Sequence, residues 1–160
     1  MRTNNGKVKN FIISLYFILI VLAILLATLF NIFKDMTKNP FLTFMIIVVV
    51  FGVVFFITHR LSKYFEYDSD GINIVIINRG MLLSDHFNYR EHKLEIEKDK
   101  LVGFKLYNYL FFKTLVVYIM GRHGNKRKES FNMTLVSRKK CKYIKQSLSK
   151  IVKHNKKLNS

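Results

Sequence analysis

Hydrophobic positions fall along this chain in two regimes. The first third is nearly continuous: residues 11–33 form a run of 23 without a charge, and residues 41–58 a second run of 18. Neither run has a polar face, which an amphipathic helix on the surface of a soluble domain would show. Each is long enough to cross a hydrocarbon layer of about 30 Å. The pattern therefore predicts a two-helix transmembrane hairpin over residues 11–58. Residues 34–40 are too few to do more than turn the chain, and Pro40 suits the first turn of the second helix, where its missing N–H costs nothing. The first run is longer than the apolar stretch of a cleaved signal peptide, and no small-x-small site follows it.

After Thr58 the period drops to two, the signature of strands separated by turn residues. Asp68, Ser69, Asp70 and Gly71 supply turn chemistry between strands at 63–67 and 72–78, with glycine available for positive φ. Residues 78–80 (NRG) read as a second turn. Residues 81–97 hold two strands or one bent strand, and 98–100 (KDK) punctuate again. Residues 101–120 supply two more strands around Asn108. The stretch 121–128 (GRHGNKRK) then turns the chain into a last strand beginning ESFNMTL.

The C-terminal stretch has period 3.6. At 100° per residue, Cys141, Ile144, Leu148, Ile151 and Val152 share a narrow sector, while Arg138, Lys142, Lys145, Lys150, Lys153, Lys156 and Lys157 lie around the other side. One amphipathic helix at about 137–156, N-capped by Ser137, is expected to lay its stripe on the sheet. The fold class is thus a membrane α-helical hairpin plus an α+β domain over 61–160. Residues 1–10 read as a basic tail.

This order of elements, with YDSDGINI as first hairpin, KTLVVYIMGRHGNKRKESFNMTL as last hairpin and SRKKCKYIKQSLSKI as capping helix, resembles the bacterial pleckstrin-homology-like domains found behind two transmembrane helices. The resemblance spans roughly residues 63–155. It implies an antiparallel sheet or barrel closed by one helix and a binding role rather than catalysis. Phosphoinositide-binding members of the wider family carry cations in the first hairpin, where this chain has Asp68 and Asp70, so headgroup specificity is not carried over to any residue.

Charge settles orientation and narrows the function classes. Three basic residues precede the first run (Arg2, Lys7, Lys9), two lie in the connection (Lys34, Lys38) and twenty-two follow the second run. Cytoplasmic flanks are the positive ones, so both termini are expected in the cytoplasm. Cys141 is alone, which rules out a disulfide within the chain and suits a reducing compartment. Frequent Lys, Asn and Ile point to a bacterial genome poor in G and C, and hence to the inner membrane.

Candidate chemistry is sparse. His86 and His92 share a strand-like segment with Asp85 and Glu91 nearby, yet no HxxxH or CxxC spacing supports a metal site. Cys141 lies on the apolar stripe, where a structural thiol outweighs a nucleophile. No Ser/His/Asp group, carboxylate pair or P-loop appears, so neither catalytic residues nor a cofactor is expected. Two features exceed a plain reading. One is an aromatic patch, Tyr107, Tyr109, Phe111 and Phe112, a candidate for partner docking. The other is a set of cations, Arg122, Lys126, Arg127, Lys128, Arg138, Lys142, Lys145, Lys153 and Lys156, expected to meet anionic lipid or an acidic partner surface. The expectation is a non-catalytic membrane-anchored scaffold, an accessory subunit of a larger inner-membrane complex. The alternative is a tethered binder of acidic polymer such as ribosomal RNA near a translocon. Only Tyr143 interrupts the basic helix face with an aromatic ring, which disfavours base stacking and hence nucleic acid.

Overall fold

A computed structural model of the chain describes residues 1–33, 39–81, 91–110, 112–121 and 124–158. It divides into two compact units, Lys7–Arg60 on one hand and Met1–Gly6 with Leu61–Ser160 on the other. In the first unit the two apolar runs form α1 (Lys9–Phe33) and α2 (Pro40–Leu61), both long and apolar enough to cross a membrane. Pro40 opens α2 as its sequence position suggested, and the Thr43 N–H and hydroxyl both donate to the Asn39 carbonyl at 3.2 Å. The rings of Tyr16, early in α1, and Phe55, late in α2, meet edge to face at 5.3 Å, so the helices run antiparallel. Helix α2 buries none of its residues.

The second unit is built from two antiparallel sheets and a helix. Strands β1 (Arg2–Asn4), β2 (Lys63–Asp68), β3 (Asn73–Gly80) and β4 (His92–Glu97) form one sheet in that order. Strands β5 (Leu101–Asn108), β6 (Lys113–Met120) and β7 (Lys126–Asn132) form the other, and α3 (Arg138–Leu158) closes the chain. Alternation places Phe65, Tyr67, Ile74 and Ile76 of the first sheet opposite Leu115, Val117 and Phe131 of the second. Ile144 and Leu148 of α3 lie over them, and all nine are fully buried. Cys141, Ile151 and Val152 pack at the margin of this core, so the stripe read from the sequence faces the sheets. Ser137 caps α3 through a 3.4 Å bond from the Lys140 N–H to its hydroxyl.

Several expectations need correction. The N-terminal tail contains β1, paired Arg2↔Asp68 through Asn4↔Glu66. The segment NRG is not a turn: Asn78–Gly80 continue β3, paired with Lys63–Phe65 of β2. Lys126, Arg127 and Lys128 belong to β7, paired Met120↔Lys126 through Tyr118↔Lys128, so the turn they were assigned to is shorter. At the β2–β3 turn Asp68 does act locally, its carboxylate accepting from the Asp70 N–H at 2.9 Å, but positive φ is found at Gly124 (74°) and not at Gly71. The Lys98–Lys100 punctuation is a single 3-10 turn, and within 81–97 the described strand is β4.

Polar joints hold the sheets and helix in register. The Asn78 amide donates to the Tyr64 carbonyl (2.9 Å) and to the Asn132 carbonyl (3.0 Å), while its oxygen accepts from the Asn132 N–H (3.2 Å), linking the two sheets. On α3, Asn155 is buried and its amide nitrogen faces the carbonyls of Lys98, Asp99 and Leu101 at 2.6, 3.2 and 2.9 Å. It thereby satisfies the carbonyls where the chain crosses from the first sheet to the second.

Four substitutions test this packing. Ile144→Asp or Leu148→Asp sets a carboxylate in the core and should destabilise the domain by about 3–5 kcal/mol, read as a large drop in melting temperature. Unchanged melting would detach the stripe from the sheets. Asn155→Leu keeps the branched shape but removes the amide that serves the Asp99 and Leu101 carbonyls, while the Lys98 carbonyl keeps the Leu101 N–H, for a loss of about 1–3 kcal/mol. Asn155→Asp should cost more than Asn155→Leu, because it aims negative oxygens at carbonyl oxygens; the reverse ranking would contradict this assignment of the joint.

Candidate binding surfaces

Strand register sorts the surface into two ends. The chain leaves the sheet at Gly6 and returns at Leu61, and this junction end is held by Asn5. That buried residue extends the ladder: its N–H donates to the Phe65 carbonyl (3.2 Å), its side-chain amide donates to the Lys63 carbonyl (2.9 Å) and its side-chain oxygen accepts from the Phe65 N–H (2.9 Å). Asn78 and Asn132 carry the same end across to the second sheet, where Asn132 pairs with Thr114 and Thr114 with Tyr107. Helix α3 begins there as well, with the Lys140 ammonium donating to the Asn4 carbonyl. The helix then runs away from the junction. Ser147 reaches the hydroxyls of Tyr67 (3.0 Å) and Ser69 (3.1 Å), and Asn155 arrives at Lys98–Leu101. Burial raises the pKa of Tyr67, so its hydroxyl is kept protonated in this contact.

This ordering divides the nine cations proposed from sequence. Arg138 and Lys142 stand at the junction end, and Lys145 follows one turn on. Lys153 and Lys156 are at the other end of a 21-residue helix, roughly 30 Å long at 1.5 Å per residue. Lys126, Arg127 and Lys128 open β7 at the far end too, and Arg127 pairs with Glu129 at 2.6 Å. Arg122 lies outside the described residues. The cations therefore do not form one patch, since opposite ends are several screening lengths of about 8–10 Å apart. Arg138, Lys142, Lys145 and Lys153 are exposed and form no ion pair with any described residue.

The aromatic patch resolves into strand and turn. Tyr107 is the penultimate residue of β5, and the Tyr109 N–H closes the turn on the Phe112 carbonyl at 2.8 Å. The Tyr107 and Tyr109 rings stack in parallel at 6.1 Å, and Tyr109, Leu110 and Phe112 are all exposed. Phe111 lies outside the described residues. These apolar residues sit at the hairpin tip and are exposed among the described residues. Beneath the tip a cleft of about 570 Å³ is lined by Asn108, Tyr109, Leu110, Lys113, Thr134 and Arg138.

The remaining candidates have structural partners. His92 stacks on Phe131 at 4.5 Å, with Nε2 3.0 Å from the Glu129 carboxylate, which ties β4 to β7 across the two sheets. His86 and Asp85 lie outside the described residues, and among the described residues no three His, Cys, Asp or Glu gather where a metal could be held. The Cys141 thiol points at the Val136 carbonyl at 3.6 Å, and burial pushes its pKa up. Tyr64, pushed up to about 12 by burial and its bond to Glu66, is a structural phenol on β2.

Sequence reasoning missed Asn5, Asn78 and Asn155. For Asn155 a signal existed, because position 155 continues the Leu148–Ile151 stripe, and a polar residue there must find partners in the core.

A raised pKa leaves less thiolate at neutral pH. Alkylation of Cys141 by iodoacetamide at pH 8 should therefore be slower in the folded chain than in urea, and should accelerate as pH climbs past 9. Equal rates in both states would mean that the thiol is exposed and unperturbed.

The chain matches no protein-family model, no curated protein and no solved structure, so its function has to be argued from its own residues.

Proposed function

We propose that this chain is a non-catalytic, membrane-anchored binding module of the bacterial inner membrane, with α1 and α2 as its spans and the two-sheet domain in the cytoplasm. The observation that carries the reading is the β1–β2 ladder, whose register Arg2↔Asp68 to Asn4↔Glu66 brings the two ends of the helical segment side by side in one sheet. Chain on either side of that segment is then on one side of any bilayer it enters, which requires an even number of crossings. Two helices of 25 and 22 residues supply two. Arg2, Lys7, Lys9, Arg60 and Lys63 flank the outer ends of the pair against Lys34 and Lys38 in its connection, which favours the cytoplasm for that side.

Four strands, three strands and a closing helix, all antiparallel and in sequence order, support the likeness to pleckstrin-homology-like domains. Counted from β1, the helical pair occupies the connection between the first two strands, and the hairpin holding Asp68 and Asp70 is the second connection. On this reading the loop used by phosphoinositide-binding relatives is given over to the membrane anchor. The cations of the far end, Lys126, Lys128, Lys153 and Lys156, then point into the cytoplasm and suit an acidic partner, consistent with an accessory subunit that holds or recruits a protein of a larger complex. The same far-end cations are what an acidic polymer such as ribosomal RNA would meet. Tyr143, the aromatic ring within the basic face, lies within a turn of the junction half of α3, away from them.

Fluorescent protein fused after Ser160 should fluoresce, whereas alkaline phosphatase fused there should be inactive; active phosphatase would overturn the orientation. Purification in mild detergent followed by mass spectrometry should yield a stoichiometric protein partner that is lost at moderate salt when Lys153 and Lys156 are both changed to Glu. Recovery of the chain with ribosomal RNA alone would favour the polymer reading.

A further inference from the structure

The hairpin tip between β5 and β6 is exposed among the described residues and stands at the junction end. Its stem residues Tyr107 and Thr114 are linked through Asn132 and Asn78 to Tyr64, one residue from the start of β2. At that end α2 finishes at Leu61 and β2 begins at Lys63, while β1 ends at Asn4 and α1 begins at Lys9. Chain reach alone, at most about 3.5 Å per residue, keeps the ends of β1 and β2 near the bilayer surface once α1 and α2 span it, an inference that rests on the membrane-anchored reading above. Leu110 is 91% exposed and Tyr109 62%, and the Tyr107 and Tyr109 rings stack beside each other. Rings of this kind are favoured at the headgroup level of membranes.

Charge selects the lipid. Between Lys100 and Ser160 the chain has sixteen Lys and Arg residues and one acid, Glu129, and that acid is engaged by His92 and Arg127. Around the tip, Lys105 shares the outward face of β5 with Tyr107, and Arg138 and Lys139 are exposed at the start of α3. Arg138 and Lys113 line the cleft beneath Tyr109 and Leu110. We infer that Tyr107, Tyr109, Leu110 and Phe112 form a second, shallow membrane contact, dipping into the interface of the same bilayer while Arg138 and Lys139 engage the headgroups of acidic phospholipid. Apolar insertion and cationic attraction reinforce each other at one edge of the domain, as they do for interfacial amphipathic segments. The contact fixes the domain's orientation, since the anchor alone leaves it free to tilt about its two connections. The cations of the far end are thereby turned toward the cytoplasm.

The test uses the full chain reconstituted in vesicles, with Cys141→Ser removing the native thiol. An environment-sensitive fluorophore is placed at Leu110→Cys and, in a second variant, at Ile72→Cys, which is 83% exposed in the β2–β3 turn at the opposite end. Nitroxide-bearing lipids with shallow quenchers are included in vesicles of phosphatidylcholine with or without phosphatidylglycerol. The label at 110 should be quenched several-fold more than the label at 72, and more strongly in acidic vesicles. Arg138→Glu with Lys139→Glu should abolish the acidic increment. Equal quenching at 110 and 72 in acidic vesicles would overturn the inference, and so would an increment that survives the charge reversal. Resistance of the chain to alkaline carbonate extraction is scored in the same samples. If the chain stays in the bilayer while 110 remains unquenched, only the tip contact is wrong; if carbonate extracts it, the anchor reading falls and the inference with it.

Discussion

The closure of β1 onto β2 is the constraint on which the rest of the molecule depends. Joining residues near Asn4 to residues near Glu66 closes a loop of about 60 residues, which for a flexible chain costs roughly 3–4 kcal/mol beyond a constant. A three-residue strand with net hydrogen-bond gains of about 1 kcal/mol each could not offset that alone. The helical segment removes most of the difficulty. Tyr16 against Phe55 sets α1 and α2 antiparallel, so the outer ends of the pair already lie close together. Each unit, taken by itself, thus brings the two chain ends near one another, and each lowers the entropy the other must lose. The side chains then lock the strand: Asn5 supplies ladder bonds where backbone pairing ends, and Arg2 reaches Glu66 at 2.8 Å.

A small two-sheet domain has limited apolar area, and this one spends its polar residues at places where sheets cannot satisfy themselves. Asn78 bridges the sheets at the junction end, and Asn155 bridges the crossover at the far end. Both are amides, able to donate and accept at once without a charge to desolvate. Ser147, Tyr67 and Ser69 form a third joint midway along α3. With the Lys140 ammonium on the Asn4 carbonyl near its start, the helix is pinned at three heights, so its apolar stripe has one register over the sheets and its cations have defined positions.

What could be read from the sequence was what periodicity encodes. The two charge-free runs, the stripe of α3 and the alternation of β2, β3, β5 and β6 each carry a repeating signal several residues long, and all appear in the structure. Strand β1 carries no such signal: Arg2, Thr3 and Asn4 hold no large apolar residue, and their conformation is imposed by a partner more than 60 positions away. Turn chemistry misled at Asn78–Gly80 and Lys126–Lys128 for a related reason. Asparagine, glycine and a run of lysines are poor strand formers in isolation, but pairing with β2 and β6 overrides local preference. At the surfaces, the sequence listed cations and aromatics without their grouping. Which of them share an edge follows from register and from the direction of α3, and neither is a local property.

That grouping changes what the charge can do. A uniformly basic helix would be drawn flat against an acidic leaflet, with all its cations within a screening length of the lipid. Here α3 runs from the junction end toward the far end, so its first turn and its last turn meet different surroundings. Electrostatic reach falls off within about 10 Å, so Lys153 and Lys156 at the end of α3 and the start of β7 act independently of Arg138 and Lys142 at its beginning. The same excess of Lys and Arg is thereby divided into two groups, and a substitution in one leaves the field of the other unchanged, because the length of the helix separates them.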